Sequence, residues 1–94
     1  MKTLFRITVK TECLDVCLDA IKKHTLHCKS EPGNLVSEAF QDSSDPRVIY
    51  LISEWDSEEH ELMHVNSEAD AAFVRFMDGK EDAPPFKYEW TQLA

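Results

Sequence analysis

With 94 residues, 43% hydrophobic and 30% charged, the sequence has the length and balance of one globular domain. Two glycines and four prolines exclude collagen-like and low-complexity folds, and no apolar run approaches the ~20 residues of a membrane-spanning helix. A net charge of -8 is the wrong sign for gripping nucleic-acid phosphates, and residues 1–10 lack a signal-peptide core, which predicts a cytoplasmic protein with no nucleic-acid or membrane partner.

Residues 3–9 set Thr3, Phe5, Ile7 and Val9 on one parity against Leu4, Arg6 and Thr8, which predicts a strand. Thr11 suits a helix N-cap, with Glu12 and Asp15 near the positive end of the helix dipole. Cys13, Val16, Cys17, Ala20, Ile21, His24 and Cys28 then follow helical spacing, until Pro32 and Gly33 stop the helix. Residues 34–42 and 47–55 read as two strands joined through Asp42-Ser43-Ser44-Asp45-Pro46. The unbroken run Val48-Ile49-Tyr50-Leu51-Ile52 puts apolar side chains on both faces of the second. Asp56 or Ser57 caps a short helix to about residue 65, and Ser67 with Asp70 resembles the capping box of another. There Ala69, Ala72, Phe73, Phe76 and Met77 form an apolar stripe, ended by Gly79. Phe86, Tyr88 and Trp90 share one parity of a last strand.

This order is two split β-α-β halves: an α+β ferredoxin-like βαββαβ sandwich with an antiparallel four-stranded sheet, one domain over residues 1–94. Helices cover only one face of such a sheet. A strand apolar on both faces needs a partner on the other, and a second copy of the sheet is the simplest one. The expectation is a homodimer through sheet faces.

The local motifs resemble the antibiotic biosynthesis monooxygenase (ABM) family of dimeric α+β barrels. The resemblance is carried by Glu31-Pro32-Gly33, Gln41-Asp42, Asp45-Pro46, Trp55, His64, Asn66-Ser67 and Phe73 in that order, and it spans about residues 3 to 93. It implies a monooxygenase that needs no cofactor and takes a small quinol- or anthrone-like aromatic and molecular oxygen. It also implies Trp55 as an aromatic wall and Arg75 as an anion stabiliser. Leu51 and Glu61 stand where anthrone-oxidising members have Asn and Tyr, and Ser53 stands where many relatives have Glu. Haem-degrading members carry Asn and Trp where this chain has Phe5 and His64, which argues against haem chemistry.

His64 is the leading catalytic candidate, because imidazole titrates near neutral pH and can take a phenolic proton. Trp55 joins it in the site, with Tyr50, Phe73 and Arg75 as substrate-binding candidates. Phe76, Tyr88 and Trp90 are further aromatics for a pocket between sheet and helices. His60-Glu61-Leu62-Met63-His64 spells H-E-x-x-H, a zinc motif when on a helix. It lacks an obvious third ligand: Ser67 and Asp70 stand where a metzincin continues with Gly and His. No metal is expected there. Three cysteines, an odd number, argue against a disulfide framework, and Cys28 lies too far along the helix from Cys13 and Cys17 to share an ion with them. Two rivals remain: a binding or assembly module that kept the fold without the chemistry, and a metal-dependent activity through H-E-x-x-H.

Overall fold

The computed structural model describes residues 2–94. Strand β1 (Lys2–Thr8) lies between β3 (Val48–Trp55) and β4 (Phe86–Trp90), and β2 (Asn34–Gln41) pairs along the far side of β3. All three pairings are antiparallel, so the sheet order is β2-β3-β1-β4. Helix α1 (Leu14–Lys29) links β1 to β2, while α2 (Glu58–Val65) and α3 (Glu68–Met77) link β3 to β4. This is the expected ferredoxin-like α+β sandwich.

Register follows from the parity of the strands. Opposite Ile7 stands Ile49, opposite Phe5 stands Leu51, and opposite Thr3 stands Ser53. That face meets the helices, and Ile7, Val9, Ile49, Cys17, Ile21 and Met77 form its buried core. Full burial of an Ile side chain contributes about 1.5–3 kcal/mol, and Ile21 and Ile49 are both 2% exposed. The other parity pairs Leu4 with Ile52 and Tyr88, and Arg6 with Tyr50 and Phe86. No helix of the described residues covers that second face, which carries half-exposed Phe40, Phe86, Tyr88 and Trp90.

One helix start differs from the sequence reading, and at another the structure chooses between two offered caps. Thr11 caps nothing: Thr11–Cys13 form a 3₁₀ turn and α1 begins at Leu14 without a side-chain cap. The chain leaving β1 is held to the loop after α3, through Lys10 N–H to Lys80 O (2.8 Å) and a Val9–Glu81 bridge. The backbone therefore stays extended through Lys10 and must turn tightly. At α2, Ser57 rather than Asp56 is the cap, its hydroxyl accepting from His60 N–H at 3.2 Å.

The stripe of α3 is also rotated from expectation. Met77 is buried and Phe73 packs on the core, but Ala72 and Phe76 face outward, Phe76 beneath the Lys80 ammonium at 4.3 Å. The inward line is Asp70–Phe73–Met77, at i, i+3 and i+7. A carboxylate on the inner face has to be explained by what it meets, and it meets two histidines.

The β2–β3 loop is an Asx turn. The Asp42 carboxylate accepts Ser44 and Asp45 N–H, each at 2.9 Å, and the Tyr50 hydroxyl at 3.1 Å. These bonds, the backbone ones foremost, hold Asp42 below the ordinary aspartate value of 3.8. A depressed carboxylate stabilises the fold above its unfolded value, and that contribution is lost as pH falls through the folded one. Thermal melts of the wild type should therefore lose stability below about pH 3.8 more steeply than those of Asp42→Asn. Parallel slopes for the two proteins would remove the loop from the account.

Candidate active site

A cavity of about 490 Å³ opens between the covered sheet face and the helices, with largely apolar walls that include Phe5, Leu51, Trp55 and Phe73. His24, Cys28, His64 and Asp70 meet at one place in its wall, brought there by three helices. Helix α1 presents His24 and Cys28 one turn apart, and the turn behind it presents Glu31. Trp55 ends β3, His64 lies in the last turn of α2, and Asp70 lies in the first turn of α3.

Local structure aims these groups. Gly33 adopts φ +77°, and a Cβ there would collide with the His60 ring and the Asp56 carboxylate. Only glycine permits this close turn, which returns the chain into β2 with Gly33 O accepting Asp56 N–H at 2.8 Å. Ser67 caps α3 by accepting Asp70 N–H at 3.2 Å, but the capping box is half complete. Ser67 N–H donates to His64 O instead, and the Asp70 carboxylate turns inward.

The His64 ring lies over the Trp55 indole, centroids 4.9 Å apart and planes 26° apart. Its Nδ1–H donates to Glu31 Oε1 at 2.8 Å, a bond whose two side chains are 16% and 14% exposed. That bond selects the tautomer, so the free lone pair is on Nε2, 3.5 Å from Asp70 Oδ1. The His24 ring stacks flat on Phe73 at 4.1 Å, with Nε2 at 3.5 Å from Cys28 Sγ and 3.7 Å from Asp70 Oδ1. Burial lowers the His24 pKa, with Asp70 pulling against it. Burial, and then the Glu31 carboxylate nearby, push the Cys28 thiol up to about 12. The site thus combines an oriented imidazole, a protonated thiol and an apolar chamber.

Of the residues singled out in the sequence, His64, Trp55 and Phe73 meet here. Arg75 reaches only the rim: its guanidinium bonds Glu68 at 2.6 Å and the side chain is 65% exposed. Tyr50 does not line the cavity. It shares parity with Ile52 and faces the other side of the sheet, with its hydroxyl on Asp42. Tyr88 and Trp90 lie on that side too, opposite Leu4 and Lys2, and Phe76 points outward. The two histidines of H-E-x-x-H also part company. His60 Nδ1 bonds Asp56 Oδ1 at 2.6 Å, while His64 turns to Glu31, so the two rings serve different carboxylates. Glu61 Oε2 is buried without a hydrogen-bond partner among the described residues. Sequence reasoning missed His24, Cys28 and Glu31 as site residues. The signal for the first two was present, since His24 and Cys28 stand at i and i+4 of one helix.

The sequence model of the antibiotic biosynthesis monooxygenase family matches residues 1–75. The chain belongs to this family. Membership makes it an oxidoreductase of the monooxygenase class. The solved structure of an antibiotic biosynthesis monooxygenase superposes with a TM-score of 0.92 at 19% identity, covering 99% of this chain and 98% of the other. A Nitrosomonas europaea protein assigned to the same family gives 0.92 at 17% identity, covering 99% and 98%. A Pseudomonas aeruginosa protein gives 0.91 at 19% identity, covering 99% and 93%. These are likenesses of fold. No curated protein matches the sequence. Within this ABM-family chain, no helix of the described residues is long and apolar enough to cross a membrane.

Proposed function

We propose that this ABM-family protein oxidises a small quinol- or anthrone-like aromatic with molecular oxygen, using His64 as base. The supporting observation is the Glu31–His64–Trp55 arrangement at the wall of an apolar cavity. Triplet oxygen reacts slowly with closed-shell molecules, and an electron-rich carbanion or phenolate overcomes this by giving up one electron. His64 Nε2 takes the substrate proton, and Glu31 stabilises the imidazolium that forms. The chamber keeps water from the anion, and Trp55 and Phe73 hold the ring. The substrate radical and superoxide combine into a hydroperoxide. At an anthrone-like methylene, O–O cleavage with loss of water leaves a carbonyl. One oxygen atom enters the product, the other leaves as water, and the substrate is the only reductant, so no cofactor is called for.

The test is oxygen uptake by metal-stripped protein over a panel of quinols and anthrones, with heavy-isotope oxygen traced into the product. Uptake that requires the protein and labels the product carbonyl supports the reading. Turnover that labels nothing, with peroxide accumulating, would mean an oxidase instead.

The second part of the proposal is a homodimer through the uncovered sheet face. Phe40 is 48% exposed, Phe86 55% and Trp90 46%, large aromatic side chains on the face that also carries Leu4, Tyr50 and Ile52 and that no helix of the described residues covers. Light scattering should give twice the mass of one chain. Replacing both Phe40 and Trp90 by Glu should halve it, since like charges from two copies would be buried together. An unchanged mass in the double variant would place the interface elsewhere.

A further inference from the structure

The inner end of the cavity holds more donor atoms than oxygenation by His64 uses. One ligand atom from each of His24, Cys28 and His64 lies within 4.8 Å of the other two. Cys28 Sγ to His24 Nε2 is 3.5 Å. That is the S···N edge of a tetrahedron with metal–sulfur and metal–nitrogen bonds of about 2.3 and 2.0 Å. Asp70 Oδ1 stands 3.7 Å from His24 Nε2 and 3.5 Å from His64 Nε2. Both distances exceed a good N–H···O hydrogen bond and approach an N···O edge of the same tetrahedron. Behind His64, Glu31 accepts Nδ1–H at 2.8 Å, the carboxylate–histidine arrangement that leaves Nε2 for an ion; Cys28 Sγ stands 4.0 Å from that same Nδ1, so an ion on Nε2 draws the thiolate along the ring edge as it binds. Asp70 has given up its half of the capping box to face these rings.

The geometry points to a site for a divalent ion of zinc type held by His24, Cys28 and His64, with Asp70, beside both rings, closing on the ion to complete a tetrahedron and Glu31 positioning His64. Two imidazoles and a sulfur select zinc-like ions over magnesium or calcium, which take oxygen ligands. Cys28 is 6% exposed, and the His24, His64 and Asp70 side chains are 12%, 16% and 23% exposed, so the donors are shielded from competing water. The ligands come from α1, α2 and α3, so one ion ties all three helices together. The site is distinct from H-E-x-x-H: it uses His64 without His60. An ion here takes the same Nε2 lone pair that proton removal needs. The ion and the substrate proton therefore compete for His64: oxygen uptake is read on the metal-stripped chain, and the ion is read by its own spectrum.

The test titrates tag-free, metal-stripped protein with Co²⁺, followed by displacement with Zn²⁺. One Co²⁺ per chain is expected, with the strong visible bands of a tetrahedral ion and a near-ultraviolet thiolate-to-cobalt band. Cys28→Ser should lose the thiolate band, and His24→Ala and Asp70→Asn should lose the tetrahedral visible intensity. Glu31→Gln should weaken binding about 10–100-fold. His60→Ala, on the same helix but paired with Asp56, should bind as the wild type does. Three results would each overturn the site: no thiolate band at saturating Co²⁺, a band that survives Cys28→Ser, or a band lost with His60→Ala. Should the buried Cys28→Ser variant fail to fold, partly exposed Asp70→Asn decides, and an unchanged spectrum there overturns the site as well.

Discussion

Replacing His64 by Asn should lower turnover of an accepted quinol or anthrone by roughly 100-fold or more, the range for loss of a positioned general base. Asn keeps a polar group of moderate size in contact with Trp55 but cannot take a proton. The folded protein loses the ring stacked at 4.9 Å and the 2.8 Å bond to Glu31. Glu31 is then left with a buried carboxylate lacking its partner, so some loss of stability accompanies the substitution. The decisive comparison is therefore with Glu31→Gln. That variant keeps the imidazole but replaces the charged acceptor with a neutral one. If His64 is the base, His64→Asn abolishes most of the rate and Glu31→Gln a smaller part, at comparable melting temperatures. Equal rates for wild type and His64→Asn under these conditions would assign His64 a packing role only.

Gly33→Ala should destabilise the fold by about 2 kcal/mol. The left-handed backbone at φ +77° costs a residue with a Cβ about 1–2 kcal/mol on its own. The added methyl also falls on the His60 ring and the Asp56 carboxylate. Displacing those groups disturbs the 2.6 Å His60–Asp56 bond, which supplies the remainder. For a chain this size, 2 kcal/mol is a fall of roughly 8–16 °C in melting temperature. Gly79→Ala is the control. It has a similar φ of +79° but nothing within 4 Å of the new methyl, so it reads the backbone penalty alone. A drop at Gly33→Ala no larger than at Gly79→Ala would show that the neighbours yield freely.

The consequences of Gly33 reach the site. Glu31 lies two residues before it, in the same turn, and Glu31 fixes the His64 tautomer. In the sequence, Glu31-Pro32-Gly33 reads as a helix stop and as part of a family resemblance. Its role in aiming the His64 imidazole depends on α2 returning His64 to that turn, 33 residues later. Likewise His24 and Cys28 are visible as one helical face, but their company with His64 and Asp70 depends on how α1, α2 and α3 pack.

Periodicity and turn chemistry were enough to place the strands, the helices and the ferredoxin-like order, because those signals are local. Parity in β1, β3 and β4, the Asp42–Pro46 loop, the Ser57 and Ser67 caps and the glycine stops each act over a few residues. The same local order carried the family resemblance. Rotation of an element about its own axis is not local. It decided that Tyr50 faces away from the cavity, that Asp70 rather than Ala72 or Phe76 points inward, and that His60 and His64 part company. A strand apolar on both faces carries no mark of which face the helices will cover, and a helix stripe fixes its rotation only to within a residue or so. Only packing of three helices on one sheet chose among those orientations, and in choosing brought two imidazoles, two carboxylates and a thiol together beside an apolar chamber.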